Sequence, residues 1–276
     1  MRSVWQLLAV VGIGIIGGNV VASVEGAPWL TFAFGAVTAA LSVLVYAWVV
    51  RRTERRTVAE VAPGGVVPQT ALGTVIGFGL FAMVVLNLFF LGFYTVEGVG
   101  SVVGAAGLVG FMAAAAATEE VLFRGVLYRI VEEKAGSWIS LGLTSLLFGL
   151  WHLPNANATG IGLVAAGVAG AMIAAAYAAT RNLWLPIGIH FGWNFAAAGV
   201  FSTEVSGNGA TSGLLDAELS GPALITGGGF GPEGSPYSLA FCLLTMLVFL
   251  WIAHRRGRLV PFRRTERPAT GATLPR

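Results

Sequence analysis

Three short groups of polar residues interrupt a chain that is apolar through most of its length. In order they are Glu119-Glu120 with Arg124, then His152, then His190 with Asn194. Ionisable side chains are costly inside a bilayer, so each is read first as a candidate for function. On a helix Glu120 and Arg124 are four apart and share a face, which lets them pair and orients the arginine. Glu119 is turned about 100° away, given 3.6 residues per turn, and is left to face something else. A lone carboxylate in a low-dielectric cavity can serve as a general base or acid near neutral pH. His190 and Asn194 are also four apart, so imidazole and amide point the same way. Together they can hold a metal or a water, or stabilise a developing oxyanion. Each group has a plainer reading too: two interfacial carboxylates finishing a span, a histidine satisfied in the core, or a polar pair joining two helices at about 0.6 kcal/mol. His254 begins the basic run after the last apolar stretch and reads as interface decoration.

The elements that must position these residues are membrane helices. Of the 276 residues, 56% are hydrophobic and 11% charged, and the mean hydropathy is +0.79. Soluble domains carry about 25% charged residues. So few charges cannot cover a soluble surface, which excludes a cytosolic globular enzyme and a disordered chain. The 39 glycines suit helices packed closely in a bilayer. Cys242 is the one cysteine, which excludes an intramolecular disulfide framework and a Cys-rich metal site. The net charge of +3 comes without a basic stripe interleaved with aromatics, so nucleic acid is discarded as a partner.

A hydrocarbon core about 30 Å thick takes roughly 20 apolar residues per helix. Eight stretches qualify, at about 4–22, 29–50, 71–94, 99–118, 137–153, 160–180, 183–201 and 238–253. The expected fold is all-α, a polytopic membrane protein with about eight transmembrane helices. An amphipathic stretch, Glu119 to Lys134, follows the fourth with Gly125 as the only breaker, so the two can form one long helix. The first stretch exceeds the roughly 7–15 residues of a signal-peptide core and is read as an uncleaved helix. Depth is awkward: at 1.5 Å per residue His152 lies about 22 Å from Ser137, and His190 about 10 Å from Leu183. Convergence then requires tilted or shortened helices, or a loop at 181–182 dipping into the membrane.

With the N-terminus inside and eight crossings, the outside segments hold Glu25, Glu97, Glu204, Asp216, Glu218 and Glu233 and no Lys or Arg. All 16 basic residues fall inside. This one-sided distribution is the positive-inside signal, and it puts both termini in the cytoplasm of a multi-pass cell (plasma) membrane protein. The expected divisions are N-terminal transmembrane helices at 1–100, a core carrying the polar groups at 101–201, an extracytoplasmic loop at 202–237, and the last helix with a basic cytoplasmic tail at 238–276. The loop is Gly/Ser/Pro-rich without clear periodicity, a connector or a lid. The tail is expected to lie near anionic headgroups.

Together the groups make a constellation of one base candidate, two imidazoles and one amide on three spans. Neutral imidazoles and a carboxylate are suitable zinc ligands, and metal-bound water is activated toward hydrolysis. There is no His-Glu-x-x-His helix, no Gly-x-Ser-x-Gly elbow and no pair of membrane aspartates. Those absences argue against zincin-type, serine and aspartyl intramembrane hydrolysis. Glu-Glu-x-x-x-Arg at 119–124, Phe-x-x-x-His at 148–152 and His-x-x-x-Asn at 190–194 resemble the three ordered motifs of the CAAX-protease and bacteriocin-processing family. That family is also called the type II CAAX prenyl endopeptidase-like or abortive-infection family. Phe123-Arg124-Gly125 matches the usual continuation of its first motif, and the resemblance covers about residues 105–200.

The resemblance implies an intramembrane metalloendopeptidase with its site open to the cytoplasmic half of the bilayer. It would hydrolyse a peptide bond of a membrane-associated protein or peptide, in CAAX-type or bacteriocin and propeptide processing. Glu119 would activate the attacking water, His152 and His190 would bind a metal or position that water, and Asn194 would stabilise the oxyanion. Glu120 and Arg124 would support the site. Zinc on His152, His190 and Glu119 is the cofactor the resemblance allows, with no organic cofactor; the partners are the substrate and the lipid bilayer. The alternative is a non-catalytic membrane scaffold or immunity protein of the same fold. A proton-relay transporter fits less well for want of inverted repeats, and a b-type haem protein gives the Glu-Glu/Arg set no role. Reporter fusions at residues 60 and 215 are expected to report inside and outside respectively; the same side for both overturns this topology.

Overall fold

The computed structural model describes residues 2–209 and 211–262; most of the tail expected at 255–276 lies outside them. The chain folds as an all-α polytopic membrane protein. Its helices are α1 (Arg2–Ser23), α2 (Pro28–Glu54), α3 (Val66–Phe90), α4 (Val102–Glu120), α5 (Arg129–Trp151), α6 (Gly160–Thr180), α7 (Trp184–Asn194), the short α8 (Ala223–Thr226) and α9 (Pro236–Arg255). Two π-helical segments, Val121–Tyr128 and Phe195–Val200, continue α4 and α7. Strands β1 (Tyr94–Val99) and β2 (Leu215–Leu219) pair antiparallel, with an irregularity between Val96 and Gly98.

Among the described residues, six helices are long and apolar enough to cross a membrane, where eight spans are expected from the sequence. The six are distinguished by length and composition alone, and two of the eight expected stretches are not counted separately among them. The fourth and fifth expected spans run on as Val102–Trp151, counted as one, although the chain doubles back within it at Gly136 (φ 79°, ψ 171°). A left-handed φ of this kind is accessible to glycine at little cost. The seventh expected span is 11 residues of α7 continued by 6 of π-helix, so neither part alone has the length of a crossing.

The two ends of the bundle differ in chemistry. At one end Arg2 pairs with Glu133, and Arg129 reaches both carboxylate oxygens of Glu54 at 2.7 and 2.6 Å. Arg56 binds Glu60 at 2.6 and 2.9 Å, and Arg181 pairs with Glu132. At the same end the Gly136 turn is tied to the segment after α9 through Ser137 N–H to the Val260 carbonyl, 2.9 Å. At the opposite end Ser101 N–H bonds the Gly213 carbonyl at 2.7 Å and Asn157 N–H the Gly207 carbonyl at 3.0 Å. The segment expected to be an unpatterned loop is therefore folded: β2, α8 and two 3₁₀ turns pack across this end. Its regularity comes from pairing with β1, a partner more than a hundred residues away that periodicity within the loop cannot reveal.

Between the ends, α4, α6 and α7 are central, and α1, α2, α3, α5 and α9 surround them. Leu8, Leu44, Val75, Leu146 and Leu247 stand exposed on that outer ring, as lipid-facing side chains do. Small residues bring the site-bearing helices close. Gly73 and Gly77 of α3 lie against Gly188 and Ile189 of α7, and Gly188 and Gly192 lie against the Thr70 and Thr74 carbonyls in return. Gly35 of α2 meets Gly110 of α4 in the same manner. A Cβ at Gly77 would overlap the Ile189 carbonyl. Gly77→Val is accordingly expected to lower the melting temperature in detergent markedly, as overpacking costs about 1–3 kcal/mol or more. An unchanged melting temperature would show that α3 does not set the position of α7.

Candidate active site

The first motif straddles a change of helix type. Glu119 and Glu120 end α4, and Arg124 lies in the π-helical segment that follows. The third motif ends α7 at Asn194, where the second π-helical segment begins. Such wide turns are rare and concentrate at functional positions.

Glu120 is fully buried. Its Oε1 accepts from Arg124 Nη1 at 2.8 Å and from His190 Nδ1 at 2.9 Å. Arg124, 1% exposed, donates Nη2 to the Gly170 carbonyl of α6 at 2.7 Å and lies 4.6 Å over the Phe148 ring. One carboxylate thus joins the end of α4 to α7 directly and to α6 and α5 through the arginine.

The carboxylate can only accept, so His190 Nδ1 carries the proton and Nε2 faces Glu119. His190 Nε2 is 4.0 Å from Glu119 Oε2, and that oxygen is buried without a hydrogen-bond partner among the described residues. His152 Nδ1 donates to the Phe148 carbonyl at 2.8 Å, which leaves its Nε2 as the uncommitted nitrogen. The Phe148 ring packs against both imidazoles, 5.1 Å from His152 and 5.9 Å from His190 between centroids. Glu119, His152, His190 and Asn194 line one cavity of about 170 Å³. An apolar groove of about 440 Å³ between α1 and α4 borders this cavity along Phe111, Ala115, Glu119 and Trp151.

The depth difficulty resolves at Gly136. Glu120 lies sixteen residues before it and His152 sixteen after it, and the two arms run side by side, with Phe123 against Phe148 and Trp151 at 5.0 and 5.8 Å between centroids. The turn itself reaches into the arginine-rich end, beyond Arg129 and Glu132. The start of α5 is therefore a poor marker of the membrane boundary, and no loop at 181–182 has to dip inward.

Among the described residues no group of three or more His, Cys, Asp or Glu side chains is disposed to hold a metal ion. Glu119, His152 and His190, the ligands that the resemblance offers for zinc, do not form such a group.

Sequence reasoning missed the second buried carboxylate beside the site. Trp193 Nε1 donates to Glu233 Oε1 at 2.7 Å, and Glu233 Oε2 accepts from Ser206 N and Oγ at 2.6 and 2.8 Å. These bonds pin the segment after α7 next to Asn194, and Ser206 and Asn155 join the cavity lining. A glutamate within Gly-Pro-Glu-Gly of a polar loop carries no sequence signal for this role; its burial is visible only in three dimensions.

Fold and site together define a helical membrane protein with a buried carboxylate–imidazole centre. Residues 68–196, which hold all three motifs, match the model of the type II CAAX prenyl endopeptidase Rce1-like family. No curated protein and no solved structure gives a significant match. The family supports protease activity on a peptide or protein substrate in a membrane setting.

Glu120→Gln removes the charge that Arg124 and His190 share. Breaking a buried pair costs about 3–5 kcal/mol, so this variant is expected to melt well below the wild type in detergent. Glu120→Gln combined with Arg124→Gln should recover much of the loss. A double variant no more stable than the single one would show that the unpaired arginine is not the cause.

Proposed function

We propose that this chain is an intramembrane endopeptidase in which Glu119 activates water against a peptide bond of a membrane-associated protein or peptide. The observation that carries this reading is the separation of 4.0 Å between Glu119 Oε2 and His190 Nε2, two atoms that face each other without bonding. A polar separation of that size suits a bridging water. Such a water donates one hydrogen to the carboxylate and one to the imidazole, and directs a lone pair at a carbonyl carbon in the cavity.

The proposed steps follow from the chain's own groups. Glu119 takes a proton as the water oxygen bonds to the carbonyl carbon. Asn194, one turn beyond His190, donates from its amide to the oxyanion. His152 accepts through Nε2 and aligns the substrate amide. Collapse of the tetrahedral species breaks the C–N bond, and the proton held by Glu119 passes to the leaving nitrogen. Glu120 and Arg124 act on His190, fixing its tautomer. The apolar groove that borders the cavity at Glu119 suits a substrate whose remaining part is membrane-embedded, as in CAAX-type or propeptide processing.

Glu119→Gln is expected to keep the wild-type melting temperature and to lower turnover of a membrane-embedded peptide by about 10²–10⁴-fold, the usual worth of a positioned acid–base group. Comparing membrane proteomes of wild-type and Glu119→Gln cells should show fragments that vanish in the variant. Near wild-type turnover by Glu119→Gln would favour the non-catalytic scaffold instead. Turnover is further expected to survive exhaustive chelation; a loss restored by added zinc would assign His152, His190 and Glu119 as ligands.

A further inference from the structure

We propose that the site is entered from the arginine-free end, that this end is extracytoplasmic, and that the substrates are exported, membrane-anchored peptides cut in a neutral or basic segment on that side. The proposal rests on the hydrolytic reading of Glu119 and adds the direction of entry and the class of substrate. It departs from the cytoplasmic opening that the sequence resemblance implies.

The course of the cavity is the first argument. Its α4 lining is Leu108, Phe111, Met112, Ala115 and Glu119, spaced by one, three or four residues along a single helical face. Eleven residues separate Leu108 from Glu119, so the passage runs about 16 Å down the helix. Its other lining residues include Glu25 in the α1–α2 turn and Asn208 after α7, both exposed at the arginine-free end.

The second argument is closure in the opposite direction. Below Glu120 toward the arginine-rich end, Val121, Val126 and Tyr128 are fully buried, as are Ala174, Ala175 and Ala176 of α6. Arg124 fills the space between these elements, bonded to Glu120 and to the Gly170 carbonyl.

The third argument is charge. Among the described residues every Lys and Arg except Arg124 lies at or beside the end that holds Arg2, Arg56, Arg129 and Arg181. Basic residues are retained in the cytoplasm, which orients the open end outward. That end carries Glu25, Glu97, Glu204, Asp216, Glu218 and Glu233 and no cation among the described residues. An acidic entrance favours neutral or basic chains over acidic ones.

Single-cysteine labelling with a membrane-impermeant cationic methanethiosulfonate tests the entrance. Cys242 is 1% exposed and serves as the unreactive background. Asn208→Cys at the mouth and Ala115→Cys within the passage are expected to react in intact cells. Arg52→Cys at the other end should react only in inside-out vesicles. Arg52→Cys reacting in intact cells overturns the proposal. So does Ala115→Cys reacting only in inside-out vesicles, or in neither preparation; Leu108→Cys replaces it if Ala115→Cys is not produced. Labelling reads the entrance whether or not the protein cleaves anything. Fragments that depend on Glu119 then read the substrate. Cuts in extracytoplasmic segments with neutral or basic flanks support the assignment, whereas cytoplasmic or acidic cut sites overturn it and leave the endopeptidase reading standing. A complete lack of Glu119-dependent fragments overturns that reading and the substrate class with it.

Discussion

The arrangement depends on one buried carboxylate. Glu120 is fully buried among membrane helices and cannot remain there charged without compensation, since the effective cost of burying an ion is several kcal/mol. Arg124 and His190 both address the same oxygen. To do so, the helix of the first motif must abut that of the third, and the α6 backbone must offer Gly170 to the far side of the arginine. The requirement to satisfy one charge therefore fixes three helices relative to one another. Glu119, next in the chain and on a different face, is held over the cavity as a consequence.

Close approach of those helices is achieved by leaving side chains out. Where α3 meets α7 and α2 meets α4, glycines stand at the contact and backbone touches backbone. In lipid there is little hydrophobic gain from joining apolar surfaces, so dense contact and polar bonds supply the cohesion. The outer helices thus serve as backing plates that press α4 and α7 together.

Much of this was legible in the sequence. The apolar stretches located the helices, and the i, i+4 spacings of Glu120 with Arg124 and of His190 with Asn194 already stated which groups share a face. The three motifs also pointed to the family that the core matches. Other parts were not legible because they depend on distant partners. The turn at Gly136 falls between the stretches expected at 119–134 and 137–153, but its left-handed backbone and the break of α7 into an α-helical and a π-helical part leave no trace in hydropathy. The π-helical turns after Glu120 and Asn194 have no counterpart in hydrophobic periodicity. The folded segment over the site is organised by β1 and by Glu233, neither of which announces itself locally.

The hairpin about Gly136 has an evolutionary corollary. Because its arms to Glu120 and His152 hold equal numbers of residues, chain length is converted directly into alignment of the two motifs. One residue gained or lost in either arm would shift one partner by about 1.5 Å and swing it by roughly 100°. A packed α-helix does not absorb such a change without widening a turn, as the π-helical segment Val121–Tyr128 already does in the first arm. Insertions and deletions among descendants of this chain should therefore spare residues 120–152 and accumulate in the turns at either end of the bundle, so that the spacing between the first two motifs acts as a molecular ruler.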